Sequence, residues 1–167
     1  MGYAAQDKGF FFLLEALEDL PHEVSSTIVL KIASKIDNKR VLERIEMIKG
    51  QFHDVVLYDG YNHTDFPAIM KDVNLGIVPP QWEDNLPQVT IEMISNGVPV
   101  LASNNGGAHE LNRHPSFVFT DKLDFQQKLQ AIIYNRSLLI DYWDNSESLT
   151  TMERHWKQLM HLYQCNS

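Results

Sequence analysis

The stretch over residues 82–104 limits the fold more than any other part of the chain. It opens with an acidic loop, Trp82-Glu83-Asp84-Asn85-Leu86, and continues through Pro87 into a run with helical period. Gly97 stops that run, and β-branched residues from Val98 lead to polar Ser103 and Asn104. Proline is tolerated at the first position of a helix, and glycine commonly follows the last. A short β-branched run bounded by turn residues reads as a strand. The unit is therefore loop, helix, turn and strand. At helical spacing Gln88, Glu92 and Ser95 share one face, and Leu86, Val89 and Met93 share another that can be buried. Glu92 is thus expected on a rigid element. Asp84 is expected just ahead of the helix, where unpaired backbone N–H groups and the positive end of the helix dipole attract anionic ligands.

The same alternation runs along the chain. Met1-Gly2-Tyr3 reads as the stub of a truncated first strand. A helix begins after Lys8-Gly9, with Phe10, Leu13, Leu14 and Leu17 as its apolar stripe and Pro21 as its end. Residues 27–33 form a nearly continuous apolar strand of the kind covered on both faces. A charged amphipathic helix is expected over 37–50, a third strand over 55–58 and a short helix over 64–72 with Asp65 in its first turn. The turn Asp59-Gly60-Tyr61 closes the third strand. A fourth strand over 73–78 is broken by Pro79-Pro80, and the fifth spans 98–102. Asn104-Asn105-Gly106-Gly107 is a glycine-bearing turn into a short helix through Leu111, able to present backbone N–H groups to a phosphate or sugar. A sixth strand over 116–120, helices over 125–134 and 138–143, and a terminal helix over 150–163 complete the chain. On the last helix Met152, Trp156, Leu159 and Tyr163 recur at helical spacing.

Strands alternating with helices imply a Rossmann-like, doubly wound parallel sheet of about six strands, the first truncated, with helices on both faces. Ligands of such sheets sit outside the carboxyl ends of the strands. Lys8, Gly60, Asp84, Glu92, Gly106 and Gly107 all fall there.

A chain of 167 residues suggests one domain over 1–167 with enough apolar content for an ordinary core. Its net charge of −8 argues against nucleic acid or an anionic membrane surface as the main partner. With Cys165 alone there is no internal disulfide, which fits a reducing compartment. The seven histidines are scattered; His155 and His161 share a predicted helix but not a face, so no metal is expected. No apolar run approaches the roughly 18 residues that span a bilayer, and the start lacks the layout of a signal peptide. These features describe a cytoplasmic protein.

The central stretch resembles the donor-binding signature of retaining glycosyltransferases of family 4, the group 1 type, which have the GT-B fold. That signature is an acid, seven residues, a Glu, a small-residue helix end, Gly, Val/Thr-Pro-Val, a polar turn and Gly-Gly. Here it reads Asp84, Glu92, Gly97-Val98-Pro99-Val100 and Gly106-Gly107-Ala108-His109-Glu110. The chain departs from the pattern at Asp84, where Glu is usual although Glu83 stands beside it, and at Met93, which replaces a common Ala. The resemblance extends over nearly the whole chain and implies one half of a GT-B fold, the C-terminal half that binds a nucleotide-diphosphate sugar.

As site residues the resemblance implies Asp84, Glu92 and Lys8, each in a binding or orienting role: Glu92 on the ribose hydroxyls, Asp84 on the sugar and Lys8 on the diphosphate. Asn85, Leu86 and Pro87 adjoin the sugar and phosphates, Gly106 and Gly107 the phosphates, and Gly60 and Tyr61 the base. Family members add an Arg on the diphosphate; Tyr3 stands at that position and carries no positive charge. The leaving diphosphate is stabilised electrostatically, so neither a cofactor nor a metal is expected. The resemblance further implies a UDP- or GDP-sugar donor, and a glycan or lipid-linked acceptor held by an N-terminal domain absent from this chain. It associates the reaction with surface polysaccharide, capsule or lipopolysaccharide.

Two other readings stay open at this point. A phosphorylation-dependent receiver shares a doubly wound sheet of this size, and Asp59 stands near the end of the third strand, but Asn104 rather than Lys follows the fifth. An epimerase of nucleotide sugars built on the GT-B fold would differ mainly in the half that is absent. Without the signature spacing, Glu83, Asp84 and Glu92 would read as solvated surface charges, Lys8 as a helix-start lysine, Tyr61 as a core-edge residue and Gly106-Gly107 as a turn.

Overall fold

Every strand pairing among the described residues is parallel. The computed structural model describes residues 9–36, 38–83, 85–111 and 114–146. The truncated strand expected at residues 1–3, Lys8, Asp84 and the helix expected over 150–163 lie outside the described residues. Strand β1 (Val29–Ser34) pairs along its whole length with β2 (Asp54–Asp59), from Val29 opposite Asp54 to Ser34 opposite Asp59. Strands β3 (Gly76–Val78), β4 (Val100–Ser103) and β5 (Val118–Phe119) pair in the order β3-β4-β5.

Among the described residues the pairing thus falls into a two-stranded and a three-stranded parallel sheet, five strands where about six were expected; helices connect the strands and cover both faces, as the alternation requires. On one face lie α1 (Phe10–Glu18), the short α2 (His22–Ser25), α3 (Lys39–Lys49), α6 (Lys122–Tyr134) and α7 (Ser137–Asp144). They bury Leu14, Leu17, Val24, Val41, Ile45, Ile48, Phe125, Leu129, Ile132 and Tyr142 against Leu30, Ile32, Val55, Leu101 and Phe119 of the strands. On the other face lie α4 (Phe66–Met70) and α5 (Gln88–Ser95), packed on Val78, Val98, Val100 and Ala102. Strand β4 makes the division plain: Leu101 joins one core while Val100 and Ala102 join the other, as the two-residue period of a strand demands. All four of its residues are buried, the mark of a strand inside a doubly covered sheet.

Side-chain caps mark the starts of two of these helices. Asn38 caps α3 by accepting from the Arg40 N–H at 3.0 Å, and Asp121 caps α6 by accepting from the Asp124 N–H at 2.9 Å. Such caps satisfy donors that the helix itself leaves open and contribute about 1 kcal/mol each. Helix α3 then buries Val41, Ile45 and Ile48 at helical spacing. Arg44, which flanks that stripe, grips Glu18 of α1 through two bonds, at 2.9 and 2.7 Å. Those bonds, with the charges of Glu18 and Glu15, outweigh the opposing effect of burial and raise the guanidinium above its ordinary value.

The structure differs from the sequence expectations at element ends. Pro21 does more than end a helix: α1 stops at Glu18, and Pro21 stands at the N-cap of α2, a helix the sequence reading left out. The fourth strand starts at Gly76 rather than Val73, because Asp72 takes a left-handed backbone at φ 65° and the Val73 N–H turns back to the Met70 carbonyl. The helix expected after Gly106 is a 3₁₀ turn over Gly106–His109, and another over Pro115–Phe117 shortens the sixth expected strand to β5.

Candidate functional site

Three loops leave the carboxyl ends of β2, β3 and β4, and they carry every described residue of the expected site except Glu92, which stands on α5. Close backbone packing ties two of these loops together. A Cβ added at Gly107 would lie 1.5 Å from the carbonyl oxygen of Asn85, so only glycine lets the turn after β4 approach the loop after β3 this closely. Gly9, at φ +76°, meets the Pro79 carbonyl in the same way, with a virtual Cβ at 1.6 Å. The start of α1 is thereby seated on the end of β3. The buried Ser103 hydroxyl and the Asn105 amide both donate to the Pro80 carbonyl, at 2.7 and 2.9 Å. Three segments far apart in sequence, at Gly9, at 79–85 and at 103–107, thus converge on one edge of the sheet.

Glu92 projects from α5, whose buried ridge is Thr90 and Ile94. The ridge expected from the sequence, Leu86, Val89 and Met93, is only half-buried. Met93 fills a specific place nonetheless. Its Sδ covers Gly76 of β3, where an added Cβ would come within 2.3 Å, so the large residue on the helix is matched by the smallest on the strand. The Glu92 side chain keeps 19% of its surface open. His63 Nδ1 lies 2.7 Å from its Oε1. Tyr61 also faces this carboxylate: burial, and after it the charge and hydrogen bonding of Glu92, push the phenol above its ordinary value. The Tyr61 ring packs on Phe66 of α4, centroids 5.2 Å apart. It is both a core-edge residue and a neighbour of the expected ribose ligand.

Gly60, at φ +75°, directs the chain out of β2, and its N–H donates to the Ser34 carbonyl at 3.2 Å. Beyond it the loop folds back through Asn62 and Asp65. The Asn62 N–H donates to Asp65 Oδ2 at 3.2 Å, and the Asp65 N–H donates to the Asn62 carbonyl at 2.9 Å. This loop lines an open cleft of about 440 Å³ together with Tyr58, Thr64, Ala68 and Ile69.

The expected site residues therefore divide into two groups. Gly60 and Tyr61 line the cleft, and Tyr61 links it to Glu92. Asn85 and Gly107 meet directly, with Leu86 and Pro87 leading into α5 and Gly106 entering the 3₁₀ turn. Lys8 and Asp84 lie outside the described residues. Sequence reasoning missed His63; its signal was a histidine three residues beyond Gly60, in a loop at the ligand-binding edge. It also gave no role to His109, whose Nδ1 is shielded from solvent with no hydrogen-bond partner among the described residues. Leaving such an atom unpaired is costly. Among the described residues no three His, Cys, Asp or Glu side chains are grouped to hold a metal ion, and no helix is long and apolar enough to cross a membrane.

The fold and this edge define a Rossmann-like α/β unit whose ligand loops gather at the carboxyl ends of a parallel sheet. The chain belongs to the Glycosyl transferases group 1 family, which it matches over residues 1–146. No curated protein matches it in sequence. Among solved structures it is similar to HepE from Anabaena in complex with UDP and glucose, with a TM-score of 0.67 and 21% identity over 87% of this chain and 40% of HepE. It is also similar to sucrose-phosphate synthase from Thermosynechococcus elongatus, with a TM-score of 0.69 and 21% identity over 98% of this chain and 43% of the synthase. At these identities the likeness is one of fold. The chain spans about two fifths of the length of the structures it matches. Membership of this family sets aside the receiver reading.

Proposed function

We propose that this chain is the donor-binding half of a retaining glycosyltransferase, a single nucleotide-sugar-binding domain that works with an acceptor-binding N-terminal half. The observation that carries the reading is the position of Glu92: a mostly shielded carboxylate on a rigid helix, beside a loop that lines a cleft large enough for a nucleoside. A carboxylate is a good acceptor for the neighbouring hydroxyls of a ribose, and the cleft wall at Gly60 and Tyr61 suits a flat base. HepE, whose fold this chain shares, was solved with UDP and glucose, which supports a nucleotide sugar as the ligand.

In this reading the diphosphate rests on Lys8 and on backbone N–H groups at Gly106-Gly107 and at the start of α5, a helix with no side-chain cap. The hexose hydroxyls fall to Asp84 and the Asn85-Leu86-Pro87 segment. The cation and the oriented N–H groups offset the charge that develops on the leaving diphosphate, so the transfer needs no metal. The donor is a UDP- or GDP-sugar, the acceptor a glycan or lipid-linked sugar, the setting cytoplasmic and the product a surface polysaccharide such as capsule or lipopolysaccharide. Without the acceptor-binding half, the chain by itself binds nucleotide weakly and does not turn over.

Titration of the isotope-labelled chain with UDP, GDP and their sugars, followed by amide chemical shifts, tests this. Shifts at Tyr61, Glu92 and Gly107 that saturate with one nucleotide are the expected result. Unmoved resonances at millimolar ligand would overturn the reading. Product analysis with the acceptor-binding half present separates transfer from epimerisation.

A further inference from the structure

We propose that His63 is a positioning residue for Glu92, holding the carboxylate in the orientation that recognises the ribose 2′- and 3′-hydroxyls; this rests on the donor-site reading above. The contact is short, 2.7 Å from Nδ1 to Oε1, within the range of a charge-assisted hydrogen bond. A carboxylate at the end of a Glu side chain has three rotatable bonds, and each rotor left free costs entropy when a ligand fixes it. His63 removes part of that freedom beforehand. It occupies one oxygen, and the remaining lone pairs of the carboxylate are enough for two ribose hydroxyls.

The arrangement is built rather than incidental. His63 is three-quarters exposed while Glu92 is mostly shielded, so the ring reaches the carboxylate from the solvent side and is not held by core packing. What holds it is the loop. The paired Asn62 and Asp65 bonds close a turn with His63 inside it. Tyr61, two residues before His63 and anchored on Phe66, faces the same carboxylate. That loop also forms the wall of the cleft. Seating a base there and orienting the ribose acceptor are thus properties of one segment, which makes His63 a determinant of ribose specificity.

The test measures binding of UDP and GDP, each beside its 2′,3′-dideoxy counterpart, to the wild-type chain and to H63A, H63N, H63Q and E92Q. Wild type prefers the ribonucleotide, and E92Q abolishes that preference. H63A weakens ribonucleotide binding by about three- to tenfold, the range for losing one partly exposed bond to a charged group, and leaves the dideoxy nucleotide unchanged. H63N, whose amide nitrogen takes the place of Nδ1, restores the preference; H63Q, whose nitrogen lies one bond further out, does not. If E92Q tells while H63A binds the ribonucleotide as wild type does, the inference is overturned and the donor site stands. If H63A binds it more tightly, His63 is a plug that the ligand displaces, and the inference is equally overturned. If no nucleotide binds, or E92Q discriminates as wild type does, the donor-site reading fails and this inference falls with it.

Discussion

The carbonyl of Asn85 and the α-carbon of Gly107 are packed so closely that no side chain fits between the loops they belong to: the virtual Cβ lies 1.5 Å from the oxygen. G107A therefore forces the two loops apart. Backbone cannot rotate away as a side-chain end can, so a loss of about 1–3 kcal/mol is expected, as for other overpacked sites. Nucleotide affinity falls with it. G50A is the control. Gly50 has an ordinary helical backbone at φ −70° and open space around it, and alanine there leaves stability unchanged or raises it by up to about 1 kcal/mol. Thermal melts of the two variants check the contrast.

Met93 and Gly76 form a matched pair across α5 and β3. G76A inserts a methyl group 2.3 Å from the Met93 sulfur, and M93A removes the crowding. Each single substitution lowers the melting temperature, and the double variant is more stable than the sum of the two losses, with a coupling of about 0.5–3 kcal/mol. Additive losses in denaturant titrations would show that the two residues do not touch.

Tyr61 reports on Glu92 through its ionisation. Its folded value is raised above 10.0, first by burial and then by the carboxylate. A raised value means that the contribution to stability is complete below the unfolded value near 10 and is lost as pH rises through the folded one. E92Q removes the charge, so the phenol ionises at lower pH than in wild type, and the alkaline loss of stability is smaller and complete at lower pH. Difference absorbance of the phenolate, wild type against E92Q with Y61F as the blank, measures the shift. Coincident curves would place the two groups apart.

Asp124 sets an acid limit. Burial alone would raise its value; the bonds from Lys128, at 2.9 Å, and from the Thr120 N–H and hydroxyl overcome this and hold it below the ordinary 3.8. For a lowered carboxylate the stabilising contribution is present above the unfolded value and vanishes as pH falls through the folded one. D124N is accordingly less stable than wild type at neutral pH, and the gap in melting temperature closes below about pH 3.8. A gap that stays constant into acid would contradict the assignment.

Much of this was legible from residue order. Pro87, Gly97 and the β-branched run after Val98 announce helix, stop and strand through local backbone preferences. The repetition of such units along the chain leaves a parallel sheet as the economical arrangement, because a helix between strands returns the chain to the same end. That alone put Gly60, Glu92, Gly106 and Gly107 at one edge, and the spacing from Asp84 to Glu92 pointed to the family. The ends of elements were less legible. A left-handed Asp72 and the 3₁₀ turn at Pro115 are set by what the neighbouring chain allows, and they shortened strands that β-propensity alone would extend; the 3₁₀ turn at Gly106 stands where a helix was expected.

What order along the chain could not convey is contact between segments it holds far apart. Asn85 against Gly107, Met93 over Gly76 and His63 on Glu92 depend on strand register and on the depth at which α5 sits, quantities summed over many side chains in both cores. A histidine in a loop reads the same whether it faces water or a carboxylate. Only the packed sheet, by bringing the loop after β2 alongside α5, decided that His63 and Glu92 would meet.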